Sequence, residues 1–306
     1  MRQKRQTLSL NKNTKRSGSA KRSLFKARKA KPVAAPAVLP APVSSSPLLD
    51  SWQVVAESAV GLSHRKMTPS MPCQDAVAIL NSPRMALFVA DGAGSAKMSD
   101  LGSQTLVQSL RRLVFSMEGL LARYLDQLHE QDVATPLADL FYRYAVTQMQ
   151  DLAQTHRRSD RDFRSTLLMA IAGKTSLFWL KVGDGAMVYQ DLEGQRTLIG
   201  EMDKGEYANQ TVFVDGSLAW ESVQFGMMPS AKISGLALMS DGAAERLVAH
   251  DGSQTAEQFS KWWQALETKQ LGAEHLFQFF NDAQIWQGST HDDKSMALAA
   301  RGRMLD

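Results

Sequence analysis

The sequence predicts an α+β sandwich of largely antiparallel strands, and three observations predict it. Helical spacing of apolar residues is confined to two blocks, near 100–156 and 256–282. The apolar runs around these blocks are short and separated by Gly, Pro, Asn or Asp, the signature of hairpins. Helices and strands are therefore segregated along the chain, which argues against a doubly wound parallel sheet.

The first 50 residues stand apart. Positions 1–32 carry 12 Lys and Arg and no acid, leaving 23 basic against 31 acidic residues in the rest, a net of −8. The stretch has too few apolar side chains to offset chain entropy and is expected to be a disordered basic tail. Residues 32–47 hold five of the ten prolines and read as a semi-stiff Pro/Ala linker. Three roles are open to the tail: a solvated segment, a weak contact with nucleic acid or an anionic surface, or an organelle-targeting peptide. Residues 51–306 are expected to form a single domain. Hydrophobic residues make up 44% of the chain, enough for a sizeable core. No apolar run reaches the roughly 18 residues that predict a membrane span. The one cysteine, Cys73, excludes an internal disulfide framework and a Cys-based zinc cluster, and fits a reducing, cytoplasmic setting.

Taken in order, residues 52–60 and 76–80 have strand composition, separated by a polar, Pro-punctuated loop with local positive charge. A third strand at 85–90 pairs with the second through the turn Asn81-Ser82-Pro83. A helix is expected over 100–128, because Leu106, Leu110, Leu113, Met117 and Leu120 line one face. A second helix follows over 135–156, with Thr135-Pro136 as its start signal. Strands are then expected at 166–172, 176–182, 186–190, 211–214, 219–224 and 233–239. A broken helical region at 256–282 and a last strand at 296–300 complete the order.

Three strand-like runs end in an aspartate and a glycine: Asp91-Gly92, Asp184-Gly185 and Asp241-Gly242. A fourth acidic site, Asp292-Asp293, precedes the final strand. Asp-Gly is a common turn dipeptide, and Asp191, Asp203, Asp215 and Asp251, in polar surroundings, read as turn residues. The other aspartates sit at the rim of the core. Carboxylates gathered there are strongly unfavourable unless cations neutralise them. An all-oxygen set suits Mg²⁺ or Mn²⁺. The six histidines are scattered and no HExxH pair occurs, which disfavours zinc.

Six segments, in order, resemble the motifs of the metal-dependent Ser/Thr protein phosphatases of type 2C, the PPM family. They are Gln74-Asp75-Ala76, Val89-Ala90-Asp91-Gly92-Ala93-Gly94, Arg164-Ser165-Thr166, Gly183-Asp184-Gly185, Ser240-Asp241-Gly242 and His291-Asp292-Asp293-Lys294-Ser295. The resemblance covers residues 52–300, and segments 63–75 and 205–209 are most similar to a bacterial subgroup. It implies two packed antiparallel sheets flanked by helix pairs, with two Mn²⁺ or Mg²⁺ ions in a cleft at one edge. It implies that Asp91 bridges both ions, that the Gly92 carbonyl binds one, and that Asp241 and Asp292 hold the other. Asp75 is implied to act through metal-bound water, and Asp184 to bind a third, weaker ion with Asp241. A hydroxide shared by the two ions then attacks phosphoserine or phosphothreonine on a phosphoprotein. Asp91, Asp241 and Asp292 serve catalysis through that hydroxide, and Cys73 need not be a nucleophile. A cognate Ser/Thr kinase is the implied partner.

The chain also departs from the family pattern. The usual phosphate-clamping arginine before the first acidic motif has no direct counterpart, and the longer loop offers His64, Arg65 and Lys66 instead. Ala93 stands where animal members carry a histidine, so the leaving-group proton falls to water, His64 or His291. Asp293 replaces the terminal asparagine and is expected to lie behind the metal ligands. The alternative reading is a pseudophosphatase that docks a phosphoprotein or kinase, which missing metal aspartates would have favoured. The body shows no nucleic-acid-binding motif, so any such contact would be added by the tail.

Overall fold

A computed structural model describes residues 48–128, 132–201 and 211–303, which all fall in one compact unit, Val43–Asp306. The expected tail and linker lie outside the described residues except for 48–50, which already open the first strand. Asp203 lies outside them as well.

Strand β1 (Leu48–Ala59) leads into a one-turn helix α1 (Leu62–Arg65), inside what the sequence suggested was only a loop. The hairpin β2 (Asp75–Leu80) and β3 (Ala86–Asp91) follows, and then three helices: α2 (Ser99–Ser116), α3 (Glu118–Leu125) and α4 (Ala134–His156). The single helix expected over 100–128 is thus two. Ser116 Oγ donates back to the Arg112 carbonyl, and Glu118 is drawn aside by Arg84, whose Nε and Nη2 both reach its carboxylate at 2.7 Å.

Strands β4 (Leu167–Ala172), β5 (Ser176–Val182) and β6 (Ala186–Asp191) fall where expected, and a short β7 (Arg196–Leu198) is added. The expected strands at 211–214 and 219–224 do not form. Val214 makes one isolated bridge to Ser165, and Trp220–Ser222 is a 3-10 turn. Trp220 packs edge-on against Tyr142 at 5.5 Å, and the Tyr142 hydroxyl donates to the Leu218 carbonyl, so tertiary contacts with α4 override local β preference. The strand starts instead at β8 (Gln224–Pro229). Then come β9 (Ile233–Met239), the one-turn helix α5 (Asp241–Ala244), α6 (Gln258–Glu267), α7 (Ala273–Asn281) and β10 (Lys294–Arg303).

The strands make two five-stranded antiparallel sheets, ordered β1-β10-β9-β6-β7 and β2-β3-β4-β5-β8. Three apolar layers hold four layers of structure together. Helices α2 to α4 pack on the second sheet through Leu106, Leu110, Phe141 and Phe178. Helices α6 and α7 pack on the first through Phe259, Trp263, Leu276 and Met239. Between the sheets lie Leu87, Val89, Leu168, Ala170, Leu236, Leu238, Ala297 and Ala299. Central strands are buried on both faces, which explains their near-continuous apolar runs.

Strand alternation then aims the site. In β3, Leu87 and Val89 face the inter-sheet layer while Phe88 and Ala90 face the helices, so the next residue in phase, Asp91, points between the sheets. In β2, Val77 and Ile79 pack on the same layer, which places Asp75 in phase with Asp91.

Candidate metal centre

Asp75 opens β2 and Asp91 closes β3, and the two stand directly opposite in the ladder. Facing carboxylates on neighbouring strands repel one another, so this register is unfavourable without a cation. Gly92 follows where the chain must pass close to its neighbours. A Cβ there would sit 2.7 Å from Ser99 Cβ and 2.8 Å from the Gln74 carbonyl oxygen. Behind Asp91, the Asp91 amide donates to Thr166 Oγ1 at 2.9 Å and the Thr166 amide donates to the Asp91 carbonyl at 2.8 Å.

The remaining acids arrive from three further segments. Asp184 follows β5 through Gly183, whose φ of 97° and closeness to Thr166 leave no room for a side chain. Its Oδ2 accepts from Thr211 Oγ1 at 2.7 Å. Asp241 starts α5, with Oδ1 accepting from the Gly242 amide at 2.5 Å. Asp292 precedes β10, its Oδ1 accepting from the Asp293 amide at 2.8 Å.

Electrostatics shows that these carboxylates form one cluster. Burial pushes Asp75 up to about 7; Asp293 and Asp241 add to the rise, and the Ser240 and Ser295 hydroxyls oppose it. Asp91 is held well above the ordinary carboxylate range by burial, then by Asp75, Asp241 and Asp292. Asp241, though exposed at the rim, is raised by desolvation and by Asp184 and Asp292, against a hydrogen bond from Asp91. Asp91 and Asp241 are thus near enough for their titrations to be linked. Oδ2 of Asp75 is buried without any hydrogen-bond partner. An unmatched acceptor in an all-oxygen acidic rim fits a hydrated divalent cation.

The three loop cations expected to hold phosphate diverge. His64 is buried, with Nδ1 3.0 Å from Asp293 Oδ1. Arg65 Nη2 donates to Asn281 Oδ1 at 2.6 Å, and Lys66 is exposed. One ligand atom each of His64, Asp292 and Asp293 falls within 4.8 Å of the others. Asp293 is nonetheless saturated by protein donors, since it also accepts from the Gly61 and Gln74 amides at 2.6 Å each. His64 and Asp293 are therefore a wall behind the rim, with Asp292 in front of them. His291, with φ 61°, accepts through its carbonyl from the Ser63 amide and hydroxyl. Burial pushes the Cys73 thiol up, so it is a poor source of thiolate. Asp191, Asp215 and Asp251 each cap a local turn with a side-chain oxygen, as their sequence settings suggested.

Four residues at the site have no role in the sequence reading, three of them inside its own motifs. Ser240 and Ser295 flank Asp75, Thr211 tethers Asp184, and Arg164 lies beside the Gly92–Ser95 loop. Ser240 and Ser295 lie inside the acidic motifs and were within reach of sequence reasoning. Thr211 lay in a segment read as a strand and carried no signal of its own.

The family model for Protein phosphatase 2C matches residues 60–281. The chain belongs to the protein phosphatase 2C family. It is 30% identical over 263 residues to "Serine/threonine-protein phosphatase 3" of Escherichia coli (strain K12), covering 81% of this chain and 98% of that one. Among solved structures, a bacterial serine phosphatase matches with a TM-score of 0.58 at 15% identity, over 82% of this chain and 99% of the other. The serine/threonine phosphatase Stp1 from Staphylococcus aureus matches with a TM-score of 0.56 at 15% identity, over 83% and 96%. The catalytic domain of the phosphatase PstP, solved with two manganese ions, gives 0.54 at 16% identity, over 82% and 99%. These structures share the protein phosphatase 2C sandwich, and the family is metal-dependent. Among the described residues no helix is long and apolar enough to cross a membrane.

Proposed function

We propose that this protein phosphatase 2C hydrolyses phosphoserine and phosphothreonine on proteins at a divalent-metal centre in the acidic rim. The observation that carries the reading is the convergence of Asp75, Asp91, Asp184, Asp241 and Asp292 on one electrostatic cluster, in a chain of this family. Two divalent ions, Mn²⁺ or Mg²⁺, supply activation of water near neutral pH and neutralisation of phosphoryl charge when bound.

Asp91, the Gly92 carbonyl, Asp241 and Asp292 are the residues that would hold the two ions. Asp75, with its unmatched buried Oδ2, would hold water at their edge. Asp184, fixed by Thr211 beside Asp241, suits a third and weaker ion. Asp293 and His64 support the rim from behind. The docking-only alternative is not favoured, given the family and the retained aspartates.

The substrate is a phosphoprotein, so the reaction that supplies it is that of a protein Ser/Thr kinase, the partner we propose. A cytoplasmic location is the setting that suits one free cysteine. A tail contact with nucleic acid or an anionic surface stays a separate proposal, resting on its charge alone.

The test is phosphate release from a phosphothreonine peptide under Mn²⁺, Mg²⁺ or EDTA, with Asp91→Asn and Asp241→Asn alongside. Metal-dependent release that both variants lose by about 10²-fold or more supports the reading. Full turnover in EDTA, or inactivity of folded, metal-loaded protein, overturns it.

A further inference from the structure

We propose that Arg164 binds the phosphoryl group of the substrate; the inference rests on the phosphatase reading above. A phosphate dianion drawn into a rim of carboxylates needs a cation of the protein as well as the bound ions. A guanidinium suits the task, because its planar fork meets two phosphate oxygens at once.

Four other cations near the rim are committed elsewhere. His64 faces Asp293, and Arg65 donates to Asn281. Lys294 is buried over the Trp286 ring and donates to the Asp292 carbonyl at 2.7 Å. Lys181 is buried and donates to the Glu201 carbonyl at 2.8 Å. Lys66 extends from an exposed turn with nothing to fix it.

Arg164 differs in both placement and bonding. Its carbonyl accepts from the Ala93 amide at 3.1 Å, and the next residue, Ser165, bridges Gly92. It is therefore tied by its backbone to the turn that carries Asp91. By strand alternation it is in phase with Thr166 and Leu168, and Leu168 lies in the inter-sheet layer. The guanidinium rests 5.1 Å from the centre of the Phe213 ring, and Nη2 donates to Ser95 Oγ at 2.7 Å. Phe213 belongs to a strap pinned at both ends: Thr211 donates to Asp184, and the Val214 amide donates to the Ser165 carbonyl at 2.7 Å. The guanidinium thus sits between the turn that follows Asp91 and the strap that Thr211 ties to Asp184.

It is also short of acceptors. Its one hydrogen bond among the described residues goes to a hydroxyl, no carboxylate pairs with it, and Nε is buried without a partner. No carboxylate among the described residues holds this guanidinium, although the turn it bonds follows Asp91 and the strap it rests on reaches Asp184. A fork held by a ring and a hydroxyl, with donors unspent, is pre-organised for an anion from outside.

The experiment compares Mn²⁺-loaded wild type, Arg164→Ala, Arg164→Lys and Lys66→Ala. It measures steady-state kinetics on a phosphothreonine peptide, inhibition by inorganic phosphate, direct calorimetric binding of inorganic phosphate, Mn²⁺ affinity and melting temperature. In Arg164→Ala, KM and the phosphate Ki should rise about tenfold or more, with a smaller fall in kcat and unchanged Mn²⁺ affinity. Arg164→Lys should fall between it and wild type. An active wild type with unchanged KM and Ki in Arg164→Ala overturns the proposal. So does a loss that a fall in Mn²⁺ affinity explains, or a larger KM rise in Lys66→Ala. If Arg164→Ala does not fold, a folded Arg164→Lys with wild-type KM and Ki overturns it equally. An inactive wild type strikes the phosphatase reading alone. Calorimetry then still decides this one, because phosphate binding must weaken in the Arg164 variants.

Discussion

Nδ1 of His64 lies 3.0 Å from Oδ1 of Asp293, and both side chains are buried. The Asp293 carboxylate also receives the Gly61 and Gln74 amides, so one side chain joins the turn before α1 to the residue before Asp75, while the Asp293 amide donates to Asp292 Oδ1. In Asp293→Ala, three buried donors lose their acceptor, at about 1–3 kcal/mol each before relaxation. Asp293→Asn keeps the shape but turns an amide NH₂ toward at least one of those donors. Both variants should melt lower than wild type and need more Mn²⁺ for half-maximal activity. An Asp293→Asn protein with wild-type melting and metal demand would remove the wall from the account.

Asp75, Asp91 and Asp241 predict a pH dependence that metal reverses. All three are raised, first by burial and then by their neighbours. For a carboxylate raised on folding, stability is fully present below the unfolded value near 3.8 and is lost as pH climbs through the folded one. For Asp75 the window runs from there to about 7. Metal-free protein therefore carries an uncompensated Asp75 at pH 8 that is largely protonated at pH 5. Saturating Mn²⁺ should raise the melting temperature more at pH 8 than at pH 5, and Asp75→Asn should narrow the gap. Equal stabilisation by metal at both pH values would count against the cluster.

The acidic rim was legible because each member ends or precedes an apolar run. The positions of Asp75, Asp91, Asp184, Asp241 and Asp292 follow from strand ends and motif order, both local features of the sequence. The supporting contacts were not legible, because they span the fold. Asp293 meets His64 across 229 positions, and Thr211 meets Asp184 across 27. The same limit explains the two lost strands. Residues 211–214 and 219–224 have β-like composition, but Trp220 is taken up by Tyr142 and Phe225, and Val214 by Ser165. The cations His64, Arg65 and Lys66 share one short segment, yet a single helical turn sends them to three different surroundings.

Thr211 gives the third prediction. Its hydroxyl, 2.7 Å from Asp184 Oδ2, is the only side-chain hydrogen bond to that carboxylate among the described residues. Thr211→Val keeps the shape and deletes the donor, leaving the carboxylate free to turn. Loss of such an outer contact typically weakens metal binding by about 10–100-fold. The curve of activity against Mn²⁺ should shift to higher concentration, with the maximal rate largely retained. A drop in maximal rate with no shift would place Thr211 in a different role.

Arg84 separates stability from chemistry. It is buried at the start of the β3 hairpin and grips both ends of α3. Nε and Nη2 reach Glu118 at 2.7 Å, Nη1 and Nη2 reach Asp126 at 3.3 Å, and Nη1 reaches the Ala172 carbonyl at 3.2 Å. Burial works against its charge, and the Glu118 and Asp126 carboxylates hold it in place. Arg84→Met fills similar volume but leaves Glu118 and the Ala172 carbonyl without this donor and Asp126 with the Lys174 amide alone. Breaking a buried pair this way costs about 3–5 kcal/mol. The low end applies here, because Glu118 is 35% exposed and can regain water. By strand rise Arg84 is roughly 20 Å along the chain from Asp91, at the opposite end of β3. The variant should unfold at markedly lower denaturant while its activity per folded molecule and its Mn²⁺ demand match wild type. A parallel loss of both would mean that α3 and the metal rim move as one unit.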